Sequence, residues 1–191
     1  MEITAFWRDI IGLKETELLA EAVRYSEIRR LKKRSIVIRE NERLTEIPFL
    51  VSGAVKSYCL GADGSERIFC FGYRPGEPAT SIYSLDKEIT SICTIEVVCD
   101  AELLYIPLKE LNRLVQDSIE AAHVYETMLS VSLHNTAERD RALVSYTARQ
   151  RYEWFTRFYP GLEELISKKD IASFLNMSSE SLSRVRKIIR N

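Results

Sequence analysis

Four serines, two arginines, a lysine and a glutamate crowd one stretch near the end of the chain, Ser178 to Lys187. At helical pitch, Ser179, Glu180, Ser181, Ser183, Arg184 and Lys187 point outward, while Leu182, Val185, Ile188 and Ile189 point inward. Such a face is equipped to read a nucleic acid. The planar fork of Arg184 matches guanine O6 and N7, and Glu180 can accept from a cytosine amino group or orient Arg184. Ser178 and Ser179, with Lys168 and Lys169 upstream, suit phosphate oxygens, which fix register but carry no sequence.

These side chains need a scaffold, and the preceding residues supply one. A first helix is expected from about Lys168 to Leu175, with Ile171, Ala172 and Leu175 inward; Ala172 is small enough for a close helix crossing. Asn176 stands where the chain must turn, and asparagine tolerates the left-handed conformation better than most residues. Met177 plugs the core beside the turn. Ser178 is a good cap for the second helix, and Glu180 in its first turn suits the positive helix end. The pattern is a helix-turn-helix, although an amphipathic helical hairpin that merely packs would share part of it.

Charge supports the first reading. Net charge is −1 over 191 residues. Lys168 to Asn191 carries six basic and two acidic residues, a net of +4, which leaves −5 for the remainder. Such asymmetry places a polyanion-binding end on an otherwise acidic chain. The four cysteines, Cys59, Cys70, Cys93 and Cys99, form no C-x-x-C pair and no zinc-spaced array, so they read as small, buried, reduced hydrophobes in strands. His123 and His134, eleven apart, read as helix histidines without a local partner. No cofactor and no metal site is expected. No Gly-rich phosphate loop, nucleophile elbow or clustered acid pair is present, so an enzyme finds no support. The N-terminus lacks the form of a secretory signal and no apolar run reaches membrane-span length, so a cytoplasmic protein is expected.

Residues 3–31 have helical spacing of apolar residues. From Ser35 to Pro107 the period becomes two, with turns at Asp63-Gly64 and Arg74-Pro75-Gly76, which argues for a β-barrel, roll or sandwich. From Leu108 to about Glu138 there is no Pro or Gly, and the spacing predicts one helix of roughly 30 residues and 45 Å. So long an apolar stripe calls for a partner helix across a two-fold axis. Asn135 to Tyr146 reads as a hinge, and Thr147 to Tyr159 as a further helix stopped by Pro160-Gly161. The fold class is therefore α+β: an N-terminal β-roll sensor with a dimer helix over residues 1–139, then a DNA-binding domain over 140–191.

The ordered combination resembles the catabolite activator protein family, the Crp/Fnr class. Gly53-Ala-Val-Lys56, Asp63-Gly-Ser-Glu-Arg67 and Pro75-Gly76-Glu77 follow the order and spacing of that family's cyclic-nucleotide-binding roll. Ile171-Ala172, Ser178, Glu180 and Arg184 match its DNA-reading motif. The likeness spans nearly the whole chain; a strand wing found in longer members after the recognition helix would lie beyond Asn191.

The resemblance implies a homodimer on a pseudo-palindromic operator of double-stranded DNA, with RNA polymerase as a further partner and no membrane. It also locates a degenerate effector pocket at Glu77, Thr80, Ser81, Ser91 and Cys93. Nucleotide-responsive members hold the ribose with a Gly-Glu pair and the phosphate with an Arg. Those positions fall on Thr80-Ser81 and near Ser91, and Glu77 matches an earlier turn acid. A buried phosphate without its arginine is poorly compensated, so tight cyclic-AMP binding is not expected. The effector is unknown. The competing reading is a ligand-sensing module that acts through protein contacts.

Overall fold

The computed structural model describes residues 1–80 and 88–190. The chain divides into two compact units: Met1–Ser57 with Phe71–Val131, and Tyr58–Cys70 with Ser132–Asn191.

The first unit opens with α1 (Ile3–Ala5), which runs into a π-helical turn, Phe6–Ile11. Gly12, at φ 92°, ends it. The second helix, α2 (Thr16–Arg24), starts where Glu120 receives the amides of Lys14 and Glu15, each at 2.9 Å. The expectation of helix through residue 31 fails here. After Arg24 the chain enters β1 (Glu27–Leu31), which pairs antiparallel with β5 (Thr94–Pro107) from Glu27↔Tyr105 to Leu31↔Ala101. The edge of β5 recruits this charged segment, and tertiary pairing overrides its local pattern.

The sheet also contains β2 (Ile36–Ile38), β3 (Glu46–Leu60) and β4 (Glu66–Gly72), in the order β1-β5-β3-β4 with β2 paired to β5. The alternating residues of this segment thus form an antiparallel sheet. Gly53 at φ 92° is required, because a Cβ there would sit 2.6 Å from the Ala101 Cβ. The Arg74-Pro75-Gly76 turn folds back on β3 through Gly76 N–H to Leu50 O at 2.8 Å and Leu50 N–H to Glu77 O at 2.8 Å. Phe6, Trp7 and Phe49 pack edge to face and tilted in the core.

The long helix predicted over 108–138 is two helices. α3 (Leu108–Asp117) stops at Ser118, which is extended at φ −129° and ψ 127°. The Ser118 Oγ accepts the Ala121 amide at 3.2 Å and so caps α4 (Ile119–Ser145). Serine competes for backbone donors and favours such caps over helix interiors. α4 then continues past Glu138 through Ser145, so the segment read as a hinge is helical almost to its end.

The second unit holds α5 (Ala148–Phe158), α6 (Leu162–Leu165), α7 (Lys168–Phe174) and α8 (Ser179–Arg190). A capping box between Thr147 and Gln150 starts α5. Trp154, Phe155, Tyr159 and Phe174 form an aromatic cluster with ring centroids 5.5–6.3 Å apart. No helix among the described residues is long and apolar enough to cross a membrane.

Candidate nucleic-acid interface

The unit built by α7, its turn and α8 follows from a few residues. The Ser167 Oγ accepts the Asp170 amide at 3.0 Å and starts α7. Ile171, Ala172 and Phe174 are buried, and Leu175 closes the helix. Asn176 then takes a left-handed φ of 49°. Its amide reaches Ser173 O at 3.1 Å and the Met177 amide reaches Ala172 O at 3.0 Å, the paired bonds of a Schellman turn. Ser178 Oγ accepts the Ser181 amide at 3.1 Å and caps α8. Leu182 and Val185 pin α8 to the core.

The outward face carries the residues the sequence singled out. Ser178, Ser179, Glu180, Ser183, Arg184 and Lys187 are exposed, as are Lys168 and Lys169 at the start of α7. Ser181 is half-buried: its hydroxyl receives the Ser178 hydroxyl at 3.2 Å and one Arg184 Nη2 at 3.4 Å. Glu180's pKa lies below the ordinary glutamate value. Its own backbone N–H at the helix start is the main cause, followed by the Ser178 hydroxyl and, more weakly, by Arg184. Ile188 and Ile189 were expected inward but are 59% and 38% exposed. Leu182 and Val185 are the buried anchors of α8, and the two isoleucines lie beyond them toward its end.

Three positioning residues escaped sequence reading. Arg151 of α5 donates through Nη1 to Leu175 O at 2.7 Å and Asn176 O at 3.1 Å, holding the carbonyls of the turn. Arg139 of α4 stacks its guanidinium 4.9 Å from the Phe174 ring centroid. Ser173 of α7 meets the backbone of the β3–β4 hairpin, with Oγ 2.9 Å from Glu66 O and 3.1 Å from Ile68 N. An arginine inside a charged helical stretch gives no pattern that separates a solvated residue from a backbone clamp. Ser173, a polar residue among Ile171, Ala172, Phe174 and Leu175, was the one visible signal.

The residues assigned to an effector pocket behave differently. Glu77 Oε2 accepts the amides of Tyr73 and Arg74 at 2.9 and 3.0 Å, which makes it a turn carboxylate. Ser91 is buried and its hydroxyl donates to Cys93 O at 2.7 Å; Cys93 is fully buried, whereas Cys59 and Cys99 are half-buried and Cys70 is exposed, because only alternate strand residues face the core. Thr80 Oγ1 is buried with no hydrogen-bond partner among the described residues. Ser81 lies outside the described residues.

Residues 28–118 match the cyclic nucleotide-binding domain family. By sequence, none of the curated proteins matches the chain. Among solved structures, FixK2 of Bradyrhizobium japonicum superimposes with a TM-score of 0.73 at 20% identity, over 86% of this chain and 84% of FixK2. The c-di-GMP responsive global regulator CLP of Xanthomonas campestris gives 0.73 at 19%, over 92% of each chain. A protein from Eubacterium rectale described as a transcriptional regulator of the Crp/Fnr family gives 0.73 at 18%, over all of this chain and 88% of the other. This chain has the Crp/Fnr fold.

Within this fold, the segment that matches the cyclic nucleotide-binding domain family precedes α4, and the α7–turn–α8 unit lies at the other end of the sequence. Among the described residues, no cluster of His, Cys, Asp and Glu has the makings of a metal site. His123 and His134 are both exposed on α4, and His123 Nδ1 lies 3.5 Å from Glu126.

Proposed function

We propose that this protein is a sequence-specific DNA-binding transcription regulator that works as a homodimer in the cytoplasm and does not depend on cyclic AMP. One observation carries the reading. A capped helix of 12 residues, set by a Schellman turn, leaves Arg184, Glu180, Ser179, Ser183 and Lys187 exposed at its N-terminal and middle turns. A helix about 10–12 Å across fits a major groove of about 12 Å. Arg184 would read a guanine, Glu180 would accept from a cytosine amino group or orient Arg184, and Ser178, Ser179, Lys168 and Lys169 would hold phosphates.

Dimerisation is supported by α4. Its exposed apolar residues include Ile119 at 81% and Leu133 at 72%, two heptads apart in sequence. Two copies would then place two recognition helices in successive major grooves about 34 Å apart. Cyclic-AMP independence is supported by Ser91, a neutral side chain with its hydroxyl already used, at the position where a phosphate would need an arginine.

Selection of sites from random duplex DNA by the purified chain tests the reading, followed by salt titration on the winning site. The expected result is a palindrome of two half-sites one helical turn apart, with affinity falling steeply as salt rises. Weak binding without sequence preference, at every salt concentration, would replace this reading with that of a sensor acting through protein contacts.

A further inference from the structure

Glu180 and Arg184 stand four residues apart on α8 with the acid nearer the helix start. That is the spacing and the order at which a carboxylate and a guanidinium pair most readily on a helix. Among the described residues no ion pair joins them. Arg184 Nη2 donates instead to Ser181 Oγ at 3.4 Å, three residues earlier on the same face. The Glu180 carboxylate is held at the helix start by its own N–H and by the Ser178 hydroxyl, and Arg184 acts on it only weakly. The two charged groups of the reading face are thus kept apart by the two serines that flank Glu180.

Ser181 is built for this task. It is half-buried, whereas Ser179 and Ser183 on either side are exposed. Its N–H donates to Ser178 Oγ at 3.1 Å, and its own Oγ accepts the Ser178 hydroxyl at 3.2 Å. The cap of α8 therefore fixes both its backbone and its side chain. An arginine carries a large rotamer entropy, and a side chain held beforehand loses less of it on binding. The bond to Ser181 occupies one guanidinium N–H and leaves others for the O6 and N7 of a guanine. A direct pair with Glu180 would be the stronger, charge-assisted bond, and DNA would have to break it before reading began.

We infer that Ser181 is a positioning residue for base reading: its capped hydroxyl holds the Arg184 guanidinium off Glu180, so that the two charged groups meet the DNA separately. The inference rests on the DNA-reading function proposed above. It gives the orienting role to Ser181 rather than to Glu180, which leaves the Glu180 carboxylate for a base amino group. Ser181 itself contacts no base and acts through Arg184 alone.

The test uses the full chain on the duplex selected for it, beside a random duplex. Ser181→Ala keeps the backbone N–H that Ser178 caps, and alanine favours a helix, so the variant should melt with the parent. Its affinity for the selected site should fall roughly two- to tenfold, the scale of one hydrogen bond. Random DNA should be bound as before, and preference should flatten at the base pair that Arg184 reads. Ser181→Thr keeps the hydroxyl and should restore both. Ser181→Ala combined with Arg184→Ala should bind no worse than Arg184→Ala alone, because a residue that acts through Arg184 then has nothing left to lose. Glu180→Gln should leave the preference at the Arg184 base pair unchanged. Unchanged binding by Ser181→Ala, equal weakening on both duplexes, or additive losses in the double variant overturns the positioning role and leaves the DNA reading intact. Flattened preference at that base pair in Glu180→Gln but not in Ser181→Ala returns the orienting role to Glu180. Absence of sequence preference in the parent overturns the DNA reading, and the role of Ser181 with it.

Discussion

Two clusters of polar residues in this chain resemble positions of known function, and they are built in opposite ways. On α8, Glu180, Ser183, Arg184 and Lys187 are exposed, with the backbone beneath them already satisfied by Ser178 and by the Schellman turn. Just before β5, and in the turn after β4, the polar groups bond to their own chain, Ser91 to Cys93 O and Glu77 to the amides of Tyr73 and Arg74. A binding surface keeps donors available and spends other atoms on its own architecture. A degenerate site uses the same residue types as architecture. The comparison predicts that changes on α8 alter recognition, whereas the roll residues answer to folding.

The largest effect should come from beneath the reading head. Phe174 is fully buried, packs on Trp154, Phe155 and Tyr159, and lies under the Arg139 guanidinium. Phe174→Ala should cost about 3–5 kcal/mol of stability by the usual cost of emptying an aromatic core position. Denaturant unfolding followed by tryptophan fluorescence checks this, since Trp154 reports on the second unit and Trp7 on the first. An equal loss at both tryptophans would show that the two units unfold as one.

Arg184→Ala should come next, at about 1–3 kcal/mol on the selected site, with preference relaxed at one base pair and little change on random DNA. Lys168→Ala supplies the contrast: all sequences should weaken alike and the salt slope should fall by about 1. Equal losses on specific and random duplexes for Arg184→Ala would remove it from base reading and make it a phosphate contact.

The helix-turn-helix was legible in sequence because its signals are local. Asn176 needs a left-handed turn, Ser178 is a cap, and Leu182 and Val185 lie at helical spacing. The sheet was legible through its period of two and the Asp63-Gly64 turn. What escaped was set by contacts distant in sequence. β1 is strand only because β5 offers an edge, and its Arg29-Arg30 pair resembles a helix surface. The break at Ser118 turned on one hydroxyl reaching the Ala121 amide, within a run that lacks Pro and Gly. Arg139, Arg151 and Ser173 act on backbone atoms 24 to 107 residues away in sequence, for which no local pattern exists.

A smaller effect sharpens the α8 half of the comparison. Glu180 has a lowered pKa in the folded chain, so the folded state holds its charged form better than the unfolded chain does. The stabilisation is present above the ordinary glutamate pKa and is lost as pH falls through the lower folded value. Glu180→Gln should therefore match the parent in the acid range and trail it slightly near neutrality. Thermal unfolding between about pH 3 and pH 7 checks the sign, the ordinary glutamate pKa lying at about 4.3. A gap that widened toward acid would mean that the helix end is not what holds the carboxylate.

The roll half of the comparison predicts no effect at all, which is the easiest outcome to overturn. A ligand that binds only the folded chain stabilises it by about 2.7 kcal/mol at one hundred times its Kd. Cyclic AMP at ~1 mM would thus raise the melting temperature by several degrees if its Kd were ~10 μM. The parent protein should show no shift. The reason is specific: Ser91 brings no charge to a phosphate, and its hydroxyl would have to abandon Cys93 O inside a buried site. Giving up that hydrogen bond costs about 0.5–1.5 kcal/mol before any contact with the ligand is made. A clear upward shift with cyclic AMP would mean that another cation takes the phosphate, and the contrast between an available face on α8 and a self-satisfied cluster in the roll would no longer hold.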